Sequence, residues 1–429
     1  MLTPLFVTLL VLILIGVPVV VAIGTVALGG ILLMPELAPV EFPRKMFAAV
    51  DSFSLLALPY FILAGELMVR GGMSRRLVEF AETLVGHLRG GLGHATVLAN
   101  MIFANVTGSS VAATSAIGSL MAPEMRARGY KPGFIAALAA TSGIIGAIIP
   151  PSMVMVVYGA MAGVSIGGLF LGGFLPGLLI TGLLMLAVHL HGYHPAFPEI
   201  RATTGRFSGR LLLTTLPRVW VAVLAPVVIL GGIMTGIFTA TEAGVVACFY
   251  ALVVSMFVYR SVKVRDLPRI LLNAAVTTTT VLAIIAVAGA LGWLLTYLNF
   301  TDIVGSWMLG ISSKGWIVLL VLLLTMLILT MFIESLAVLI ILTPLILKIG
   351  TTFGYDPLYV GMLVIMATQI GATTPPVAVC LFVATSIAGT TYDQTIRRCW
   401  PFIAALMLAL VLVFLFPALS TWIPNTFLK

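Results

Sequence analysis

Two Pro-Pro pairs interrupt long apolar segments at matching points in the two halves of the chain. The first lies in TSGIIGAIIPPS (141–152) and the second in MATQIGATTPPV (366–377), 225 positions later. In both segments a Gly-Ala pair stands two residues before the prolines. Proline has no N–H to donate and its ring clashes with the preceding turn, so each pair ends one half-helix and suits the start of the next. The sequence therefore predicts one broken helix in each half.

The composition places these segments in a membrane. Of 429 residues, 61% are hydrophobic and only 8% are charged, whereas soluble domains carry about 25% charged residues. Apolar runs of about 20 residues recur along the whole chain, which predicts an all-α polytopic protein whose partner is the lipid bilayer. The net charge of +8 comes from short loops between these runs, so it does not indicate nucleic-acid binding.

Two further apolar runs indicate re-entrant hairpins. Residues 92–125 and 315–347 are too long for a single crossing of about 20 residues, and polar stretches interrupt both, NVTGSSVAATS at 105–115 and TMFIESL at 330–336. Such backbone is tolerated at membrane depth only where protein buries it or where it lines a cavity. We expect one hairpin per half, each followed by a broken helix, over 133–163 and 357–388.

The 225-residue offset extends without a gap from 129 to 176, so the chain is predicted to be two similar halves. The first repeat would cover 1–190, the second 217–429, with a cytoplasmic linker at 191–216. Whether residues 2–34 form one helix or two is open.

The loop charges indicate that the two halves are inverted. Residues 70–91 contain four arginines, whereas the equivalent 295–315 contains one lysine; the order reverses between 260–270, which is basic, and 35–47, which is balanced. By the positive-inside rule the halves face opposite ways. Inverted repeats with broken helices near the midplane are typical of secondary transporters, in which released carbonyls hold cations and half-helix N-termini face anions.

Four motifs resemble one transporter family along most of the chain: GSSVAATSAIGSLMAPEM, SGIIGAIIPPS, GIFTATEAG and GATTPPVAVCLFVA. They are similar to the large membrane subunit of tripartite ATP-independent periplasmic (TRAP) transporters. The resemblance implies an elevator-type importer of organic acids such as C4-dicarboxylates, keto acids, sugar acids or sialic acid, driven by Na⁺. It also implies two protein partners, a small four-helix membrane subunit and a periplasmic substrate-binding protein, and a location in the bacterial inner membrane.

The first candidate site joins the hairpin tip at 105–115 to the break at 142–151. Small hydroxyl side chains and free carbonyls there suit a hard cation such as Na⁺. The alternative is that these residues allow close helix packing and bond their own backbone. The residues predicted for this sodium site are Gly108, Ser109, Ser110, Thr114, Gly146 and Pro150.

The second candidate site centres on Glu334, the one acid in the apolar run 315–347. An ionisable side chain at membrane depth is costly and marks a functional position by default. Glu334 could ligate Na⁺, carry a proton, or cap the second helix of its hairpin. The residues predicted for this sodium site are Glu334, Ser335, Gly371, Thr373, Thr374 and Pro375.

The substrate site is predicted from the absence of Arg and Lys in the hairpins and broken helices. A carboxylate there must be held by half-helix N-termini, hydroxyls and bound cations. The predicted substrate contacts are Ser110, Ser115, Pro151, Ser152 and Pro376.

No catalytic motif, organic-cofactor fingerprint or further metal spacing is present, so a transporter subunit is favoured over an enzyme. A stand-alone sodium/carboxylate symporter of related fold is the alternative, and a membrane-embedded enzyme is a weaker one. The roles of Glu66 and Glu242 stay open, and HLHGYH (189–194) is interpreted as interfacial.

Overall fold

The computed structural model describes residues 2–193 and 209–428, which are mostly helical and contain no β-strand. Most of the predicted linker 191–216 lies outside these residues. The helices of the first half are α1 Leu2–Leu14, α2 Val19–Leu32, α3 Glu41–Val50, α4 Ala57–Arg70, α5 Met73–Val85, α6 Gly91–Thr107, α7 Ser110–Ala127, α8 Pro132–Gly143, α9 Ile145–Ile148, α10 Met153–Ala162 and α11 Ile166–Tyr193. Those of the second half are α12 Gly209–Met234, α13 Ala240–Val253, α14 Leu267–Tyr297, α15 Phe300–Ile311, α16 Gly315–Thr330, α17 Ser335–Phe353, α18 Pro357–Gly371, α19 Val379–Ala388, α20 Tyr392–Leu415 and α21 Ala418–Phe427.

The first apolar segment is two helices rather than one. Helix α1 ends at Leu14, and Gly16 follows with φ +86°, a conformation that glycine adopts without steric cost. Pro18 then precedes α2. The Gly-Val-Pro interruption visible in the sequence therefore separates the two helices.

Six helices among the described residues are long and apolar enough to cross a membrane. A seventh crossing is the bent pair Pro132–Ile148 and Met153–Ala162, whose axes differ by 43°. The bend lies at the first Pro-Pro pair, and both pairs, Pro150–Pro151 and Pro375–Pro376, have a cis peptide bond. The predicted polytopic all-α class is confirmed.

Both helices that lead into the breaks lie at the centre of the protein. Every residue from Gly133 to Gly143 in α8 and from Tyr359 to Gly371 in α18 is buried. Helix α8 is surrounded by α6, α7, α19 and α20, and α18 packs against α16, α17, α11 and α20. The irregular backbone at each break is thus enclosed by protein, as non-helical backbone at membrane depth requires.

The hairpins form as predicted. Hairpin 1 consists of α6 and α7, and hairpin 2 consists of α16 and α17; within each, the two helices pack along one another. A second group of helices packs around α4, α13 and α14, and it contacts hairpin 1 between α4 and α6 and hairpin 2 between α14 and α17.

One short helix precedes each hairpin. Helix α5 buries Met73, Leu77, Val78 and Ala81 and packs against α6 and α12. Its counterpart 225 residues later is α15, a segment that the sequence reasoning treated as a loop. Because α15 carries a single charged residue, Asp302, no alternation of charges marked it as a helix.

Helix α5 meets the end of hairpin 1 through two carboxyl groups. Burial and the neighbouring Glu124 carboxyl raise the pKa of Glu82 to about 7, against the weaker opposing effect of Arg128. Arg128 itself pairs with Glu124 at 2.9 Å. Glu82 lies on α5, which is not among the helices long and apolar enough to cross a membrane, and its pKa is close to neutral pH.

Candidate functional site

The two hairpin tips have equivalent caps. Gly108, with φ +59°, turns the chain between α6 and α7, and the side chain of Ser109 then accepts a hydrogen bond from Ala112 N at 3.4 Å. In hairpin 2 the carboxylate of Glu334 accepts from Ala337 N at 3.1 Å. Ser109 and Glu334 are 225 positions apart. The capping role proposed for Glu334 is therefore present, and Ser109 is its counterpart.

Each tip is tied to the break of its own half by one backbone hydrogen bond. Met153 N donates to the carbonyl of Gly108 at 3.2 Å, and Val377 N donates to the carbonyl of Met331 at 3.3 Å. The pairing of each hairpin with the following broken helix, predicted from the sequence, is thus present in both halves.

In the first half, glycines let the break approach the hairpin tip closely. A Cβ placed on Gly146 would lie 2.9 Å from the carbonyl oxygen of Ser109, and one on Gly143 would collide with the hydroxyl of Thr114 and lie 3.0 Å from the carbonyl oxygen of Ser110. Two carbonyls and one hydroxyl therefore converge where only glycine fits. Such an arrangement of oxygens is suited to a dehydrated monovalent cation.

The hydroxyl of Thr114 is fully buried and, among the described residues, receives no well-formed hydrogen bond; its polar neighbour is the weakly bonding thiol of Cys380. The carbonyl oxygen of the buried Asn100 side chain is also unpaired in this part of the chain, while its amide donates to Ser142 at 2.8 Å. Buried acceptors without partners are rare and call for an explanation, and a bound cation supplies one. Asn100 was missed, although it is one of only two amide side chains in the sequence of the run 92–125.

In the second half, the break approaches hairpin 2 at a different point. A Cβ on Gly371 would collide with the hydroxyl of Thr330 and the carbonyl of Leu327, both on the first helix of the hairpin. The hydroxyls of Thr373 and Thr374 donate to carbonyls one turn earlier in the same helix, at 3.0 and 2.7 Å. Each hydroxyl oxygen keeps lone pairs that can still face a cation. Thr330 joins this cluster without having been predicted.

A cavity of 340 Å³ lies where the two hairpins meet the second break. Among the described residues, it contains no Arg or Lys, as the sequence led us to expect for the substrate site. Its polar lining residues are Ser110, Thr330, Glu334, Ser335, Gln369 and Cys380.

The predicted substrate residues are not all gathered in this cavity. Ser110 lines it, but Ser115 is exposed on the outer face of α7. Pro151 is buried, and so is Ser152, whose hydroxyl donates at 2.6 Å to a carbonyl of α9. Pro376 is exposed, and its carbonyl accepts from a tyrosine hydroxyl of α20 at 2.9 Å. The geometry therefore assembles Ser110 with Ser335 and Gln369 instead.

The two acids left open by the sequence have local partners. Glu242 forms a capping box with Thr239 at the start of α13, and its carboxylate accepts from the Thr239 N–H at 2.8 Å. Glu66 lies 3.8 Å from Arg70, one turn further along α4. Both arrangements account for the acids structurally.

The histidine cluster is partly described. His191 Nδ1 lies 2.8 Å from the carbonyl of Ala187 in its own helix, and the rings of His189 and His94 are 5.9 Å apart. His194 lies outside the described residues, and within them no group of three metal-ligating side chains occurs.

The fold alone defines a class. Two hairpins, each followed by a broken helix, among helices long and apolar enough to cross a membrane make this an all-α polytopic membrane protein. The crystal structure of the Alcanivorax borkumensis YdaH transporter, described as having an unusual topology, superposes on it with a TM-score of 0.64, covering 89% of this chain and 88% of that one at 13% identity. At this identity the likeness concerns the fold only.

Sequence comparison defines the family. The family model described as "Tripartite ATP-independent periplasmic transporter, DctM component" matches residues 6–419. The C4-dicarboxylate TRAP transporter large permease protein DctM of Pseudomonas aeruginosa is 37% identical over 384 residues, 89% of this chain and 88% of the relative. The isethionate TRAP transporter permease protein DctMQ of Oleidesulfovibrio alaskensis is 37% identical over 414 residues, 96% of this chain and 63% of the relative. The chain belongs to the TRAP transporter large permease family, and the predicted resemblance is confirmed.

Proposed function

We propose that this chain is the transport-catalysing membrane subunit of a sodium-coupled importer that takes up an organic acid. The observation that supports this most is the convergence of oxygens in each half. In the first half, the carbonyls of Ser109 and Ser110 and the hydroxyl of Thr114 face the break. In the second half, the hydroxyl of Thr330 and a carbonyl of hairpin 2 face Gly371. We assign one sodium ion to each cluster. Both clusters border regions enclosed by protein, where an oxygen-rich site without a basic side chain favours a cation.

The substrate would bind in the 340 Å³ cavity between the hairpins. Helices α7 and α17 begin at its wall, so their N-terminal N–H groups can face an anion. Relatives named for a C4-dicarboxylate and for isethionate, a sulfonate, support an organic anion as the cargo. A bound sodium ion beside the cavity would offset the charge that no Arg or Lys neutralises.

Transport would follow an elevator-like path, in which the hairpins and broken helices move against the helices around α4, α13 and α14. The contact between α14 and α17 suits sliding because small residues leave space there. A cavity of 220 Å³ lies between Gly292 of α14 and Thr343 and Pro344 of α17. Small residues at a helix interface allow close approach without interlocking side chains.

The reversed loop charges support an orientation with the basic loops in the cytoplasm, and family membership supports a location in the inner membrane of a bacterium. A cysteine at Lys263 should label from the cytoplasm and one at Ser306 from the periplasm in intact cells; both positions are exposed. Labelling of both from the same side would contradict the inverted arrangement. This experiment does not depend on knowing the substrate.

Two partner proteins would complete the importer: a small four-helix membrane subunit and a periplasmic binding protein that delivers the acid. The relative named DctMQ spans more than this chain covers, which fits a small subunit fused to its large one. Candidate acids can be found by thermal-shift screening of the binding protein. Liposomes holding all three components should then take up the labelled acid, whereas liposomes holding this chain alone should not. Uptake by the chain alone would favour a stand-alone sodium/carboxylate symporter.

A further inference from the structure

Gln369 connects the two hairpin tips across the centre of the molecule. Its side-chain carbonyl accepts a hydrogen bond from the Ser110 hydroxyl at 2.7 Å, and its amide donates to the Ser335 hydroxyl at 3.3 Å. Ser110 begins the second helix of hairpin 1, and Ser335 begins that of hairpin 2. One side chain on α18, only 4% exposed, therefore contacts both inverted halves at once.

The hydrogen bonds continue in one direction to a carboxylate. The Ser335 hydroxyl donates to Glu334 Oε1 at 3.3 Å. From hairpin 1 onward, each group donates to the next: Ser110 to Gln369, Gln369 to Ser335, and Ser335 to Glu334. Aligned hydrogen bonds polarise one another inside a protein, so a change of charge at the Glu334 carboxylate alters the strength of each hydrogen bond in the series up to Ser110.

The bridge has no counterpart in the first half. Ser110 and Ser335 are equivalent positions, 225 residues apart, but the position equivalent to Gln369 is Ile144. Ile144 is fully buried and apolar, so it cannot link the tips by hydrogen bonds. The repeat therefore has equivalent serines at its two tips but only the second half supplies a side chain that bridges them.

We propose that Gln369 is a positioning residue that couples the two sodium sites, so that an ion in the second site, for which Glu334 is a predicted ligand beside Thr330, orders the tip of hairpin 1 through Ser335, Gln369 and Ser110. This inference rests on the proposed sodium sites. A cation beside Glu334 competes with the Ser335 hydroxyl for the carboxylate's lone pairs. This weakens the Ser335–Glu334 hydrogen bond and changes the hydrogen bonds from Ser335 through Gln369 to Ser110. The consequence is cooperative sodium binding, since the second ion meets an already ordered tip.

Sodium alone serves as the probe. The full-length chain in lipid nanodiscs is titrated with NaCl against choline chloride at constant ionic strength, and its thermal unfolding midpoint is followed. For the wild type we expect a sodium-specific shift with a Hill coefficient above 1. In Gln369→Met, which nearly keeps the side-chain volume but removes both hydrogen bonds, the Hill coefficient should fall to 1. The half-saturating sodium concentration should rise about fivefold or more, the lower end of typical site-to-site coupling.

Two further variants make the result specific. Thr368→Val is the matched control: Thr368 is buried on the same helix, and its hydroxyl donates only to Ile365 O, at 2.9 Å, so cooperativity should stay. Ser110→Ala removes the hydroxyl that bonds Gln369 but keeps the Ser110 backbone carbonyl that faces Gly143 in the first sodium site, so it should reproduce the loss and add nothing in the Gln369→Met background. If Gln369→Met does not fold, Ser110→Ala alone decides.

The outcomes separate the two proposals. Wild-type cooperativity in folded Gln369→Met, or an equal loss in Thr368→Val, overturns the coupling role and leaves the sodium sites standing. A wild type that responds equally to sodium and choline overturns the sodium sites and the coupling with them.

Discussion

Glu334 is the position where capping and cation binding can be separated by substitution. Its carboxylate accepts from Ala337 N at 3.1 Å. Glu334→Ala removes this cap, and loss of an N-cap side chain costs about 0.5–2 kcal/mol of stability. Glu334→Gln keeps a side-chain oxygen that can accept the same bond, so its cost should be below about 1 kcal/mol. Thermal unfolding of both variants without sodium checks these two values.

Sodium dependence gives the decisive comparison. If Glu334 ligates Na⁺, removing its charge costs at least the ~1.4 kcal/mol that equals a tenfold change, so Glu334→Gln should raise the half-maximal sodium concentration for uptake about tenfold or more. Ser109→Ala, at the equivalent cap of hairpin 1, keeps the backbone carbonyl and should shift it less. A shift of the pH profile with unchanged sodium dependence would indicate a proton carrier. Unchanged sodium dependence in Glu334→Gln, with Glu334→Ala destabilised, would refute the ligand role and leave only a cap.

Three further substitutions follow from local geometry. The pKa of Glu82 is raised from 4.5 to about 7, so the folded state binds the proton more tightly than the unfolded state and stability falls as pH rises from 4.5 through 7. Glu82→Gln should flatten that fall. Above pH 7 it should add about 1–2 kcal/mol to the free energy of unfolding, with allowance for partial exposure. Unfolding at pH 5 and 8 tests this, and a pH dependence like that of the wild type would contradict it. In Gly146→Ala the new Cβ would lie 2.9 Å from the Ser109 carbonyl, so the change should cost about 1–3 kcal/mol of stability and weaken sodium binding. The control Gly182→Ala, with nothing within 4 Å of the added Cβ, should be neutral or stabilising. Equal effects of both changes on thermal unfolding would refute the close approach at Gly146. Ala378 has φ +45°, so Ala378→Gly should relieve about 1 kcal/mol of strain, seen as a higher unfolding midpoint, and a lower midpoint would contradict it.

The sequence predicted those parts of the fold that local chemistry determines. The Pro-Pro pairs, the long apolar runs with polar centres and the 225-residue offset located both hairpins and both breaks, because prolines and interrupted apolar runs act on the backbone within a few residues. Charge patterns did not locate α15, Phe300–Ile311, because that helix is apolar and carries a single charged residue.

The parts of the site that depend on distant partners were not predictable. Gln369 and Ser110 are separated by 259 positions, and nothing next to Gln369 in the sequence distinguishes it from a polar residue that simply bonds within its own helix. Thr330 was overlooked for the same reason, because its role comes from the close approach of Gly371. Conversely, Ser115 was included for its hydroxyl alone, although the rotation of α7 turns it outward.

Sodium-driven uptake by the complete three-component importer tests the central proposal most directly. Liposomes containing this chain, the small subunit and the binding protein loaded with its acid are given an inward sodium gradient at equal pH on both sides. The account predicts accumulation of the acid that stops when sodium is equal across the membrane and that survives a proton ionophore. Accumulation that ignores the sodium gradient and collapses with the proton ionophore would contradict it.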